Sequence, residues 1–242
     1  MNSFNSIKKI IILMVFFTLF TIKVCSIENK INQIQKIIKN KDISVLGGIE
    51  GNKTNFVLIG LDVNKDKCGN VLLIIFDEKY KIINYLELFR NSTNLPIDCT
   101  ESYFAFYLRP SQESNSHIIV YNVKDKIFQR YEIGYPFLWN IYINDNCLFF
   151  STYMANPNLN VIDLEKKLLF QFDDFECGSV KFGLYNGIVY GGLKNDKYLY
   201  KWNGSNFEET QEIEFEQLEI RDRYIKDFPL DENVLNKLKL KL

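Results

Sequence analysis

The sequence predicts an all-β fold in which a unit of about forty residues, made of four strands, occurs four times. Apolar and polar residues alternate through most of residues 43–213, the pattern of strands with one buried face. Aromatic residues make up 15% of the 242 residues, and flat rings pack well on a pleated sheet. Repeats of this length that are built from strands are typical of β-propellers. We therefore expect a β-propeller of four to five four-stranded blades with short terminal helices. A β-sandwich, whose strands also alternate, is the alternative.

An export signal is predicted at the N-terminus. Two lysines precede an apolar run from Ile10 to Ile22, and small residues follow up to Ser26. This order is typical of a cleaved signal peptide over residues 1–26, and the run is shorter than the roughly 20 apolar residues of a spanning helix. Uncleaved anchoring and lipidation of Cys25 are the alternatives. We therefore expect a secreted, periplasmic or cell-surface protein that has no membrane contact after signal cleavage.

The regions that flank the repeats are predicted to be partly helical. Isoleucines at helical spacing, from Ile31 to Ile38, predict a short N-terminal helix or linker over residues 27–42. Beyond the repeats, residues 214–242 alternate only loosely and end in a helical pattern from Asp231. We expect this C-terminal segment to form part of a fifth blade, a helical cap, or a surface that holds a partner.

Each unit is expected to contribute four consecutive antiparallel strands, joined by turns such as Asn186-Gly187, whose residues tolerate positive φ. The predicted strands are Ser44–Ile49, Asn55–Val63, Val71–Phe76 and Ile82–Leu88 in the first unit; Pro96–Thr100, Tyr103–Leu108, His117–Val123 and Ile127–Ile133 in the second; Trp139–Ile143, Cys147–Tyr153, Leu159–Leu164 and Leu168–Phe172 in the third; and Val180–Leu184, Ile188–Leu193, Tyr198–Trp202 and Phe207–Glu212 in the fourth.

One unit resembles a kelch-type blade. Its second strand ends in the glycine pair Gly191-Gly192, and Tyr198 and Trp202 follow in the third strand. The resemblance covers the fourth unit, because the other three lack the glycine pair, and no unit has a Trp-Asp dipeptide at the end of its third strand. It implies a propeller fold and no particular activity.

Composition and motifs point away from nucleic-acid binding, metal binding and catalysis. The formal net charge is −1, whereas proteins that bind nucleic acid usually carry a basic excess. His117 is the only histidine, which disfavours a zinc site, and we expect it to be exposed at a strand end. The loop from Asp62 to Asn70 is similar to the calcium loops of FG-GAP propeller repeats, but Lys67 replaces the glycine of their sharp turn, so we expect a solvated loop. We expect no metal, no cofactor and no catalytic residue.

The carboxylates of the sequence are the basis for an alternative hypothesis, in which the protein is an enzyme. Asp173-Asp174 and Glu208-Glu209 are expected at the ends of outer strands, where charges solvate a sheet edge. Asp98 is the one clear acid on the first strands of the units, the strands that line the channel of a propeller. A hydrolase or lyase that acts on sugars in the channel would need two carboxylates there.

A disulfide is predicted from the blade topology. Four cysteines follow the signal, Cys68, Cys99, Cys147 and Cys177, and an exported protein meets oxidising conditions. In up-and-down blades, the turns between first and second strands all lie on one face. Cys99 ends a first strand and Cys147 begins a second strand in the next unit, so Cys99–Cys147 is the predicted bridge. Cys68 and Cys177 would pair on the opposite face.

The repeats, the signal and the lack of a catalytic constellation favour one function. We expect an exported, non-catalytic β-propeller that binds a protein or a small ligand. Two alternatives stay open, a propeller hydrolase or lyase with channel carboxylates and a structural surface protein built on a β-sandwich.

Overall fold

Four antiparallel sheets, each made by four consecutive strands, form the body of the protein in a computed structural model. The structure describes residues 28–51, 53–62, 69–91, 96–108, 116–134, 138–152, 159–172, 180–221, 223–224 and 232–240. The predicted signal, most of the Asp62 loop, the Asp173-Asp174 pair and the Cys68–Cys177 pair lie outside the described residues.

The strands fall into four blades, numbered in chain order. Blade 1 comprises β1 (Ile43–Glu50), β2 (Thr54–Leu61), β3 (Gly69–Asp77) and β4 (Ile82–Asn91). Blade 2 comprises β5 (Pro96–Cys99), β6 (Tyr103–Leu108), β7 (His117–Asn122) and β8 (Ile127–Glu132). Blade 3 comprises β9 (Leu138–Asn144), β10 (Cys147–Thr152), β11 (Leu159–Asp163) and β12 (Leu168–Phe172). Blade 4 comprises β13 (Lys181–Tyr185), β14 (Ile188–Gly192), β15 (Leu199–Trp202) and β16 (Phe207–Thr210).

The predicted all-β propeller with short terminal helices is confirmed. Within each blade the strands pair in sequence order as an up-and-down meander, and each predicted strand overlaps an observed one. Local chemistry explains the turns: Asn186 and Gly187 adopt φ of 48° and 79° between β13 and β14, the left-handed conformation that Asn and Gly tolerate.

Successive blades pack face to face because each strand alternates its side chains between two neighbours. In β2, Phe56 belongs to the core shared with blade 2, whereas Val57 belongs to the core on the other side of the sheet. Phe56 stacks on Phe104 of β6, with ring centroids 3.9 Å apart and planes within 9° of parallel. The aromatic residues of β6 are all buried, so their expected role in core packing is observed.

The two end faces of this row of blades are covered by terminal segments. A helix over residues 28–38 (α1) and a second helix, α2 (Glu232–Lys237), lie against blade 1. Ile34 and Leu235 from these helices share a core with Val57 and Ile74 of blade 1. On the far face of blade 4, Leu218 packs near Tyr190 and Leu199. The row of four blades, which we call the arc, is thus covered at its two ends by residues from outside the blades.

The segment that follows blade 4 is not part of a fifth blade in the described residues. It contains a short 3-10 helix (Phe215–Gln217) and two two-residue strands, β17 (Glu219–Ile220) and β18 (Arg223–Tyr224). β17 pairs with β13 of blade 4, and β18 pairs with β5 of blade 2. We call residues 213–221 and 223–224 the strap, because they pair with the first strand of blade 4 and then with the first strand of blade 2. No helix in the described ranges has the length and apolar character needed to cross a membrane.

Candidate functional site

The strap occupies the edge at which the first strands of blades 2, 3 and 4 come together. On β13, Gly183 pairs with Ile220 of the strap. Three residues further along the chain, Arg223 pairs with Ile97 on β5. Between these ladders the strap passes the first strand of blade 3, which packs against β5. The inner edge of the arc is thus filled by the chain itself.

Gly183 permits the close approach of the strap to blade 4. A Cβ at this position would lie 2.8 Å from the Leu218 Cβ, 3.1 Å from the Glu219 carbonyl oxygen and 3.1 Å from the Ile220 Cγ1. The Leu218 Cβ is bonded directly to the backbone, and the Glu219 oxygen is part of the backbone. Neither atom can therefore swing away as the end of a long side chain could. A residue without a Cβ is therefore required where β17 meets β13.

Arg221 joins the strap to blades 2 and 3. Its Nη2 donates a hydrogen bond to the Ile143 carbonyl oxygen at 2.5 Å, and its Nη1 donates to the Cys99 carbonyl oxygen at 3.3 Å. The Arg221 Nη2 also lies 3.5 Å from the Asp98 Oδ2. The Cζ of the guanidinium lies 4.1 Å from the centroid of the Tyr142 ring, a cation–π contact. We call these four partners the arginine pocket.

Asp98 forms an ion pair with Arg221 inside the fold. Its side chain is fully buried, and its Oδ2 also accepts a hydrogen bond from the Ile143 backbone N–H at 2.8 Å. A carboxylate in this position serves to hold the strap, because Arg221 balances its charge and the fold excludes water from it. The acid that the sequence offered for channel chemistry is therefore paired, and Glu208-Glu209 lies exposed on the outer strand β16, as expected.

A cavity of about 460 Å³ opens beside the arginine pocket. We call it the mouth. It lies on the face of the arc that carries the turns between first and second strands, and the strap forms part of its wall. Its lining residues are Thr100, Glu101, Ser102, Tyr142, Ile143, Asn144, Asp145, Asn146, Leu184, Glu219 and Arg221.

The lining of the mouth is acidic. Among the described residues that line it, Glu101, Asp145 and Glu219 carry carboxylates, and Arg221 is the single cation. The charge of Arg221 is already balanced by the buried Asp98. Because the formal net charge of the whole chain is only −1, the excess of negative charge at the mouth is a local feature.

The expectation that His117 is exposed is wrong. It is 5% exposed, in a strand that is buried on both faces. Arg130 on β8 donates a hydrogen bond from Nη2 to the His117 Nε2 at 2.5 Å, which requires a neutral imidazole at that nitrogen. Burial, and next the Arg130 guanidinium, lower the pKa of His117, while Glu132 acts in the opposite direction. Within the described ranges, no cluster of three or more His, Cys, Asp or Glu residues could hold a metal ion.

The two cysteines of the predicted bridge lie on the expected strands. Cys99 is buried at the end of β5, and Cys147 is half-buried at the start of β10, in the adjacent blade. No disulfide joins these two described residues, and the bridge stays a prediction. Burial raises the pKa of the Cys147 thiol, and Asp163 and Asp145 add to the effect.

Sequence reasoning missed Arg221 and the mouth. The available signal was local alternation in Glu219-Ile220-Arg221, which has the period of a strand but is too short to distinguish from a charged loop. Asp98 was singled out as an inner acid, and the structure gives it a different role.

Comparison with known proteins finds similarity to solved structures that include β-propeller domains. No family model matches the chain, and no curated protein matches it. The β-propeller domain of the Trilobed protease from Pyrococcus furiosus is similar over 72% of this chain and 57% of that one, at 12% identity and a TM-score of 0.45. The Dos1 propeller is similar over 69% of this chain and 45% of that one, at 12% identity and a TM-score of 0.44.

The acylaminoacyl peptidase of Pyrococcus horikoshii is similar over 72% of this chain and 33% of that one, at 12% identity and a TM-score of 0.42. The chain thus spans less than two thirds of the length of each of these structures. At this level of identity the likeness concerns the fold alone.

Proposed function

We propose that this chain is an exported, non-catalytic β-propeller module that binds a basic segment of a protein at the mouth. The observation that carries the proposal is the charge of this cavity. Three carboxylates, from Glu101, Asp145 and Glu219, line a space of about 460 Å³ in which the only cation among the described lining residues is already paired. Such a surface attracts lysine or arginine side chains and repels anions.

Binding without catalysis is supported by the role of Asp98. A two-carboxylate mechanism needs acids that can face a substrate from the channel. Asp98 is instead buried and bonded to Arg221 and to the Ile143 N–H, and the strap fills the edge at which a channel would open. Export is supported by the Lys-Lys, apolar and small-residue order of residues 1–26.

Charge neutralisation tests the mouth. The probe is a fluorescein-labelled peptide of alternating lysine and serine, and the assay is fluorescence anisotropy at low ionic strength, where surface charges are least screened. The triple variant Glu101→Gln, Asp145→Asn and Glu219→Gln should bind the peptide at least about tenfold more weakly than wild type, a loss of about 1.4 kcal/mol.

A matched triple variant on the far side of blade 4 controls for net charge. Glu208→Gln, Glu209→Gln and Glu212→Gln remove the same three charges from exposed positions on and just after β16. We expect this variant to bind the peptide within about twofold of wild type. Equal weakening in the two variants would show that the peptide responds to the total charge of the protein, and would overturn the proposal.

A further inference from the structure

We infer that the arginine pocket is a recognition site for an extended, arginine-bearing segment of a partner, which binds by taking the place of the strap. The inference rests on the proposed function, because the acidic mouth would draw the basic segment to this edge of the arc. It adds the identity of the side chain that is recognised and the way in which the segment binds.

The pocket has the donor–acceptor pattern of a guanidinium site. Two backbone carbonyl oxygens, of Cys99 and Ile143, accept from two different nitrogens of Arg221, while the Asp98 carboxylate lies 3.5 Å from one of them. The face of Tyr142 completes the site. A guanidinium is planar, carries five N–H donors and stacks on aromatic rings, whereas a lysine ammonium is a compact point charge with three donors. The pocket should therefore discriminate arginine from lysine.

The edges beside the pocket are suited to an extended chain. The strap pairs with β13 through Gly183 and Leu184, and with β5 through Ile97 and Pro96. A partner segment that adds to these two edges would gain the same backbone hydrogen bonds, the mode of recognition known as β-augmentation. Gly183 gives any such segment the same close approach that it gives the strap.

The middle of the strap is joined to the blades by two short ladders and by the side chain of Arg221, as far as its described residues show. Its ladders comprise two residue pairs on each side, and the side chain of Arg221 keeps 20% of its surface exposed beside the mouth. Its main advantage over a partner is covalent attachment, which corresponds to an effective concentration on the order of millimolar for a short flexible connection. Removal of the Arg221 side chain should remove that competitor from the pocket and strengthen binding in trans.

The experiment compares two peptides that carry the same charge. The first is the acetylated, amidated nonapeptide of residues 216–224, Glu-Gln-Leu-Glu-Ile-Arg-Asp-Arg-Tyr, and the second has lysine at the position of Arg221. Binding to the full mature chain is measured by isothermal titration calorimetry for wild type and for Arg221→Ala. Because the two peptides carry the same charge, the electrostatic effect of the acidic mouth is the same for both and cancels from the comparison.

We expect Arg221→Ala to bind the arginine peptide at least about tenfold more tightly than the lysine peptide, and more tightly than wild type binds it. Arg221→Ala removes the cation beside the buried Asp98, so Arg221→Lys replaces this variant in the experiment if Arg221→Ala does not fold. The arginine peptide should then raise the melting temperature of Arg221→Lys, and the lysine peptide should not.

Two results would overturn the inference: equal affinity of Arg221→Ala for the two peptides, or equal affinity of wild type and variant for the arginine peptide. Neither result touches the proposed function, which depends on binding of the lysine–serine peptide to the wild-type mouth. Conversely, an arginine preference in Arg221→Ala together with unaltered binding by the mouth triple variant would reject the acidic mouth and retain the pocket.

Discussion

Substitution of Arg221 by methionine removes the guanidinium but keeps most of the aliphatic stem, so it isolates the charge of the arginine pocket. The Asp98 carboxylate, which is fully buried, would keep its hydrogen bond from the Ile143 N–H and lose its cation. Removal of one partner from a buried ion pair costs roughly 3–5 kcal/mol. Because the mouth lets water reach the vacated space, we expect the lower end, about 3 kcal/mol. For a chain of this size that loss lowers the melting temperature by roughly 6–12 °C.

Urea and thermal unfolding followed by far-UV circular dichroism measure this loss. Lys201→Met is the matched control, because the Lys201–Glu212 pair, 3.5 Å long, is exposed and should contribute no more than about 1 kcal/mol. The double variant Asp98→Asn, Arg221→Met also removes the unpaired charge of Asp98. Its loss of free energy of unfolding should therefore be about 1–3 kcal/mol smaller than the sum of the losses in the two single variants. Additive losses would refute the reasoning, since they would mean that Asp98 and Arg221 do not interact.

The remaining predictions concern the core, the strap, a histidine and a cysteine. Phe104→Ala should lower the free energy of unfolding by about 3–5 kcal/mol, because its ring is fully buried against blade 1. Phe170→Ala, at a site that is 38% exposed, should change it by about 0.5 kcal/mol or less. Urea titration measures both. Gly183→Ala should cost about 1–3 kcal/mol and speed hydrogen exchange of the β17 amides, and unchanged exchange would contradict the close approach of the strap. The pKa of His117 is lowered in the fold, so the unfolded chain binds more protons, and stability should fall as the pH drops from about 7.5 to 5.5. Since His117 is the only histidine, the variant His117→Gln should show a flatter dependence of melting temperature on pH. In protein kept reduced, alkylation of Cys147 by iodoacetamide should require a higher pH than that of a free cysteine, because burial raises its pKa, and a profile like that of free cysteine would show that the thiol is solvated.

The blades were predictable because their information is local. In β10 and β11, short runs rich in apolar and β-branched residues lie between polar turns, which is enough to predict the strands, although both faces of these strands are buried. The turns contain residues such as Asn186 and Gly187 that favour the conformations required there. Neither observation depends on residues from another part of the chain.

The strap and the surroundings of His117 were not predictable because their information is not local. β17 and β18 have two residues each, too few for a period, and the edges that they join belong to blades 2 and 4. His117 stands next to a polar loop in sequence, which suggests exposure, yet it is buried and its ring contacts Arg130 of the neighbouring strand β8. The pairing of Arg221 with Asp98, 123 positions apart in the chain numbering, has no signature in a single sequence.

The strap is anchored on both sides by buried leucines, and these anchors decide whether its middle can be exchanged for a partner segment. On one side, Leu218 packs against blade 4 near Tyr190 and Leu199. On the other, Leu235 of α2 and Leu238, which directly follows the helix, are buried against blade 1. Buried leucines make both anchors, whereas β17 and β18 have two residues each, so we expect the anchors to persist when the ladders open. A released strap would then stay tethered near its own pocket and return when the partner leaves, which makes exchange reversible without unfolding of the blades.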